Sequence, residues 1–362
     1  MRVLYLPYYG DSNEYQNLLT NAVAERGVTP IEGTMHLLFP LTRNVLAADR
    51  PDVLHLIWTH PFFIVGDYTG SNVLDAVASY GRALLFVLDL LIVHLLGVDV
   101  VWTVHNKHNH EKHHLRLDRT VNRFVGRIAD ELTVECAAAK STVVDLFGVD
   151  ESKINVVSEG SYVGTYPDDA DRESSRARLG LDEETFVFVY FGMIRRYKGL
   201  PDLLDAFEAL DEPAVLYVAG NPYTETIDRE IRTRIDAMPN VEARLEFIPN
   251  DEVQYYMRAA DVVTLPYRDI MTSGSVLLAM SFGRPVVTPA MGCIPAVLPD
   301  DDSAFLYDQG DEESLRTALR TARSTPRDEL AAMGRRNYER ALDLDWDDIG
   351  DDTVDIYRRA ST

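Results

Sequence analysis

The chain has 362 residues, 46% of them hydrophobic and 26% charged, enough for two domains that each bury a core. Acidic side chains number 58 against 35 basic ones, and the resulting formal charge of −23 excludes nucleic acid, or any other polyanion, as the main partner. Only five of the cations are lysines (Lys107, Lys112, Lys140, Lys153 and Lys198), a composition seen in proteins that work in molar salt, as in halophilic archaea, where screening quenches self-repulsion.

In chain order, MRVLYLPYYGDSNEY reads as a strand at 2–6 and its loop, because it lacks the long apolar core and small-residue cleavage site of an export signal. Further apolar runs predict strands at 52–58, 99–104, 131–134 and 154–157 with helices between them. The most apolar stretch, 83–101, is interrupted by Asp89, His94 and Asp99; a core helix followed by a strand is expected, with a helix lying on a membrane surface as the alternative. Polarity rises and periodicity lapses over 164–178, which reads as a linker. A second series then predicts strands at 186–191, 214–219, 242–248, 262–266 and 285–288, and helices at 201–210, 225–237, 251–260 and 275–282. An amphipathic segment at 346–357 closes the chain.

This alternation predicts an α/β protein of two Rossmann-like, doubly wound domains facing across a cleft, with ligands at the C-terminal ends of the strands. The first domain is expected at 1–165 and the second at 166–342, with a C-terminal helix at 343–362 packing back near domain one. Cys136 and Cys293 have neither metal spacing nor a disulfide framework, which fits a reducing, cytoplasmic compartment.

Three segments carry chemistry. Gly192-Met193-Ile194-Arg195-Arg196-Tyr197-Lys198-Gly199 links a strand to a helix, with glycines for close backbone approach and cations for phosphate oxygens. Thr272-Ser273-Gly274, also between strand and helix, offers hydroxyls and free amides; alone it is an ordinary helix cap, but with the basic loop it suggests one diphosphate site. In the first half, Trp102-Thr103-Val104-His105-Asn106 leads into a histidine-rich run suited to proton transfer or polar recognition. Its His110-Glu111-Lys112-His113-His114 fits H-E-x-x-H, with Glu131 or Glu135 as a possible third zinc ligand, yet the motif is short and its setting after a parallel strand is wrong for a peptidase. Residues 7–12 lack G-x-G-x-x-G, which disfavours a dinucleotide oxidoreductase.

Together these segments resemble GT-B glycosyltransferases, close to family 4 and its branch that builds lipid-linked or exopolysaccharide glycans. Asp52-Val53-Leu54-His55-Leu56-Ile57-Trp58 is similar to the family's HxHW segment, residues 102–111 to its WTxHN…HE loop, and 191–199 to FGxIRxYKG. Leu265-Pro266-Tyr267, Ser273-Gly274 and 283–287 resemble LPY…SG…GxPVV, while Ser158-Glu159-Gly160-Ser161-Tyr162 resembles HGxY with Glu159 replacing histidine. Two departures stand out. Ile270 and Leu278 occupy the register of two donor-binding glutamates, and Met193 takes the place of an arginine.

The resemblance implies transfer of a hexosyl group from a GDP- or UDP-sugar to an acceptor hydroxyl, with a role in polysaccharide biosynthesis or protein glycosylation and with no metal and no further cofactor. His110 and Glu111 are the candidates for acceptor activation, and Lys198 and Arg195 for leaving-group stabilisation. Donor contacts fall on Gly192, Arg196, Gly220, Asn221, Ile248, Tyr267, Thr272, Ser273 and Gly274. The acceptor side falls on Tyr8, Tyr9, Asp11, Asn13, His105 and Asn106. The implied partners are the nucleotide sugar and a lipid-linked glycan, with peripheral contact at the cytoplasmic membrane face and no nucleic acid. A sugar-nucleotide epimerase and a non-catalytic sugar-binding module remain as rivals.

Overall fold

Short runs of β-branched and aromatic residues, buried on both faces, form two parallel sheets of six strands each. The computed structural model describes residues 1–10, 13–66 and 72–361. The chain divides into two units, Met1–Glu159 with Trp346–Thr362, and Gly160–Asp345.

The first unit runs β1 (Arg2–Leu6), α1 (Glu14–Glu25), β2 (Thr29–Glu32), α2 (Pro40–Ala47), β3 (Val53–Leu56), α3 (Asn72–Leu95), β4 (Asp99–Thr103), α4 (Leu115–Ile128), β5 (Glu131–Val134), α5 (Ala137–Phe147) and β6 (Ile154–Val156). Its sheet order is β2-β1-β3-β4-β5-β6, all parallel, so the loops after β1, β3, β4 and β5 gather at one edge. Strand β2 escapes the hydrophobic pattern because it is an edge strand containing Pro30 and is only partly buried.

The second unit runs α6 (Arg172–Leu179), β7 (Val187–Phe191), α7 (Leu200–Glu208), β8 (Val215–Ala219), α8 (Glu225–Ile235), β9 (Val241–Arg244), α9 (Val253–Ala259), β10 (Val262–Thr264), α10 (Gly274–Ser281), β11 (Val286–Pro289), α11 (Ile294–Val297), β12 (Ala304–Tyr307), α12 (Glu312–Ser324) and α13 (Arg327–Leu342). The sheet order is β12-β11-β10-β7-β8-β9. The final helix, α14 (Trp346–Ala360), belongs to the first unit, where a Cβ on Gly350 would press to 3.0 Å from the Ala22 carbonyl of α1.

Two local expectations need correction. The polar stretch at 164–178 is not all linker: Asp171 caps α6, and Arg176 is buried beneath it, donating to the carbonyls of Ala259, Asp182, Glu183 and Thr185 and pairing with Asp261 at 2.8 Å. An arginine satisfied on every side does the anchoring that apolar residues usually do, so hydrophobic periodicity could not reveal the helix. Strand β9 also stops at Arg244, short of the expected 248, because Arg244 turns to pair with Glu246 and Glu252.

Helix α3 explains its own interrupted hydrophobicity. Asp89 is fully buried and accepts hydrogen bonds from the Leu41 and Thr42 amides at 2.7 and 2.9 Å, capping the start of α2. The opposite face stays exposed, with Leu84 62% and Leu95 83% accessible. Val73–Leu95 is long and apolar enough to cross a membrane by length and composition alone.

Candidate active site

In the second unit, the loops after β7, β8 and β10 converge. Gly192 has φ 114°, and a Cβ built on it would lie 3.1 Å from Lys198 Nζ and 3.5 Å from Ser275 Oγ, so the basic loop and the head of α10 meet at one point. Gly220 is required for the same closeness, since a Cβ there would overlap the Gly192 carbonyl. Gly199, at φ 70°, likewise presses against the Pro266 carbonyl.

Burial and the neighbouring Arg195 lower the Lys198 pKa from 10.5 to about 8, with no carboxylate among the described residues placed to offset them. Arg195 lies with its guanidinium 3.9 Å from the ring centre of Tyr223. Arg196 turns outward to Glu230 at 3.2 Å, away from this convergence. Tyr267 and Ser273 share a hydroxyl hydrogen bond of 2.7 Å, and Ser273 Oγ also accepts from the Val276 amide, so Ser273 works as a cap. The amides of Gly274 and Ser275 head α10 and make no hydrogen bond among the described residues. Thr272 is partly buried just before them. Asn221 contributes its carbonyl to the Ile194 amide at 2.9 Å, and Ile248 is buried beyond edge strand β9. Ile270 and Leu278 are buried apolar residues, so no carboxylate arises at either position.

In the first unit, a second constellation forms at the ends of β1, β3, β4 and β5. His105 Nδ1 hydrogen-bonds Glu135 Oε1 at 2.8 Å, its ring stacks on Trp58 at 5.4 Å, and Tyr15 meets it edge-on at 4.9 Å. Burial lowers the His105 pKa from 6.5 to about 4, outweighing the opposing pull of Glu159, so the imidazole is neutral near pH 7. With the Nδ1 proton directed to Glu135, Nε2 presents its lone pair, and that atom is buried with no hydrogen-bond partner among the described residues. Beneath it runs a buried polar chain in which Tyr5, Tyr357, His55, Thr103 and Thr133 are joined by hydrogen bonds of 2.7–2.9 Å.

The histidine-rich loop is held by α4. Asp118 accepts from the Asn109 amide and side chain at 2.7 and 2.9 Å and from Asn122 at 3.0 Å, while Asn122 receives the Thr59 hydroxyl at 2.7 Å. His110 approaches His60, with ring centres 6.3 Å apart. Residues 110–114 lie in turns before α4, with Lys112 and His114 at positive φ, so the H-E-x-x-H pattern lacks the helical spacing a zinc pair requires. Glu135, suggested above as a metal ligand, bonds His105 instead. Among the described residues no three His, Cys, Asp or Glu side chains converge on a cation position.

Of the expected acceptor residues, Tyr9 packs on Trp58 at 5.4 Å, Tyr8 donates to Asn17 at 3.3 Å, and Asn13 caps α1. Asn106 lines the pocket with His105 and His60. Asp11 lies outside the described residues. Sequence reasoning missed Asp118, Asn122 and the role of Glu135; the position of Glu135 one residue beyond β5, at the ligand-bearing edge, was the available signal.

Residues 185–324 match the family described as glycosyl transferases group 1. The chain is 27% identical over 339 residues to a GDP-mannose:glycolipid 4-β-D-mannosyltransferase of Xanthomonas campestris pv. campestris, covering 92% of this chain and 89% of that one. It is 29% identical over 252 residues to a D-inositol 3-phosphate glycosyltransferase of Kineococcus radiotolerans, covering 64% and 58%. Among solved structures, HepE of Anabaena in complex with UDP-glucose aligns with TM-score 0.75 at 15% identity over 98% of both chains. Sucrose-phosphate synthase of Thermosynechococcus elongatus aligns with TM-score 0.77 at 15% identity, over 99% of this chain and 98% of that one. Two parallel doubly wound units of GT-B fold, a phosphate-type loop meeting a helix head, and relatives that move sugars support a glycosyltransferase similar to those of family 4.

Proposed function

We propose that the protein transfers a mannosyl group from GDP-mannose to a hydroxyl of a lipid-linked glycan, the donor resting on the second unit and the acceptor being recognised by the first. The observation that carries the donor half is the convergence of Lys198, Gly192 and Ser275, where a partly desolvated ammonium without a carboxylate partner faces a helix head. As the sugar–phosphate bond breaks, the departing diphosphate gains charge, which Lys198, Arg195 and the Gly274 and Ser275 amides stabilise without a metal ion. Of the remaining expected donor residues, Gly220, Asn221, Tyr267 and Ser273 shape this loop cluster and Thr272 borders it.

GDP-mannose as donor and a β-linked product follow the Xanthomonas relative. An α-linked donor giving a β-linked product demands a single displacement with inversion, and therefore a base for the acceptor hydroxyl. His105 supplies it: Glu135 fixes the tautomer and Nε2 takes the proton, while His110, Glu111 and Asn106 orient the acceptor. The exposed face of α3 rests on the cytoplasmic membrane surface, and the acidic, lysine-poor exterior serves a molar-salt cytoplasm.

The test is a panel of radiolabelled nucleotide sugars incubated with the enzyme and a total lipid extract in high salt. Label from GDP-mannose entering the organic phase is expected; label entering only from UDP-sugars would overturn the donor assignment, and none in the organic phase would overturn the acceptor.

A further inference from the structure

Beside the acceptor pocket, the first unit carries a second groove that no step above uses. The loop before α2, a short 3-10 turn at His60–Phe62 and the middle of α3 line it, with Met35, Leu37, Phe39, Phe62 and Leu85 on its walls and Arg82 as its cation. Its floor is firm, since Phe62 and Phe86 stack with ring centres 5.1 Å apart and nearly parallel planes. Phe39 sits at φ 49°, ψ 52°, a left-handed conformation that is costly for an aromatic residue and is held in place by the Asp89 cap on the Leu41 and Thr42 amides that follow it. Leu37, at the rim, is 76% accessible.

Arg82 decides what such a groove can hold. Its guanidinium makes no hydrogen bond or ion pair among the described residues, although the protein carries 58 carboxylates that could have paired with it. An apolar trough with one uncompensated cation is complementary to an anion attached to a hydrocarbon chain, and poorly suited to an acidic peptide, whose backbone amides would go unsatisfied there. One short turn serves both cavities: His60 lines the acceptor pocket beside His105 and Asn106, and the next residues, Pro61 and Phe62, line the groove.

We propose that this groove binds the lipid end of the acceptor, with Arg82 against its phosphate and Met35, Leu37, Phe39 and Leu85 against the first units of its chain. The assignment rests on the lipid-linked reading of the acceptor given above. It places the lipid phosphate and the glycan's reacting hydroxyl on opposite sides of the 60–62 turn, so the groove measures the length of glycan that reaches His105.

Calorimetric titration of the full-length protein with farnesyl phosphate below its critical micelle concentration tests this, with farnesol and inorganic phosphate as the tail-only and head-only probes. Wild type should bind farnesyl phosphate saturably and farnesol at least about tenfold more weakly, the margin of one charge-assisted contact, with no measurable heat from phosphate. Arg82→Gln should reduce farnesyl phosphate to the farnesol level and leave farnesol unchanged; Leu37→Asp, at an exposed site that cannot threaten folding, should weaken both. Equal affinity of wild type and Arg82→Gln for farnesyl phosphate, or binding of phosphate alone, overturns the proposal. In the transfer assay with lipid extract, both variants should raise the KM for extract and leave that for the nucleotide sugar unchanged. Organic-phase product with unaltered KM in both variants refutes the groove while the function stands. No organic-phase product from wild type refutes the lipid-linked acceptor, and the titration then judges the groove alone.

Discussion

Replacing Lys198 by methionine should make the free protein more stable while destroying its hold on a nucleoside diphosphate. The ammonium is held at a pKa of about 8 instead of 10.5, so the folded state disfavours its charge. At about 1.4 kcal/mol per pH unit the shift bounds the penalty near ~3 kcal/mol, and because the side chain keeps some contact with water, about half of that is expected to be realised. The folded pKa is lowered, so the penalty is complete below pH 8, shrinks as pH rises from 8 toward 10.5, and is gone above it. A methionine of similar length therefore stabilises by roughly 1–2 kcal/mol at pH 7, a rise of about 2–4 °C in melting temperature per kcal/mol for a unit of this size, and by little near pH 10.5. In binding, loss of the charge-assisted contact should weaken GDP by about 1.5–3 kcal/mol, roughly ten- to a hundredfold. Thermal melts at pH 7 and pH 10, with and without GDP, read both effects. A variant less stable than wild type at pH 7, or one binding GDP with wild-type affinity, would refute the reasoning that a half-buried cation without a carboxylate partner among the described residues is kept there for the diphosphate.

Four further outcomes follow from other parts of the molecule. His105→Gln should lower kcat by about 10²- to 10⁴-fold at neutral pH, and kcat/KM of the wild type should fall below pH 4, as His105 protonates, and above pH 8, as Lys198 loses its proton; a profile without the acid limb would remove His105 as the base. Gly199→Ala forces a side chain into the Pro266 carbonyl at a left-handed φ, so it should cost more than about 1 kcal/mol in urea denaturation and weaken GDP; a silent substitution would contradict the packing of the two loops. Leu84→Asp with Leu88→Asp, both on the exposed face of α3, should leave the melting temperature unchanged and reduce cosedimentation with liposomes, whereas unaltered cosedimentation would exclude this face from membrane contact. With a formal charge of −23, melting temperature should rise steadily from low to molar KCl; a flat response would remove the high-salt reading.

Much of the fold is written locally. Strands such as Val187–Phe191 are continuous apolar runs because parallel strands are covered on both faces, and this pattern, with glycines where strand meets helix, can be read residue by residue. The phosphate-type loop was legible for the same reason: Gly192, Lys198 and Gly199 fall within one eight-residue loop, and the conformations they need depend on near neighbours. The partners of His105, Asn109 and Arg176 were not legible. Glu135 meets His105 only because β4 and β5 pair in parallel with Val101 opposite Glu131, which carries that register beyond the strand ends; a shift of one residue would aim either side chain to the other face. Asp118 serves the histidine loop, Asp89 caps a helix 48 residues away, and Arg176 anchors a helix that carries no apolar stripe, each through hydrogen bonds that leave no periodic trace. Sequence alone determines which segments can bury apolar surface and where the backbone can turn tightly. Which polar groups meet inside the fold is decided by tertiary structure, because a buried hydrogen bond depends on the positions of two distant chain segments and not on the character of either one.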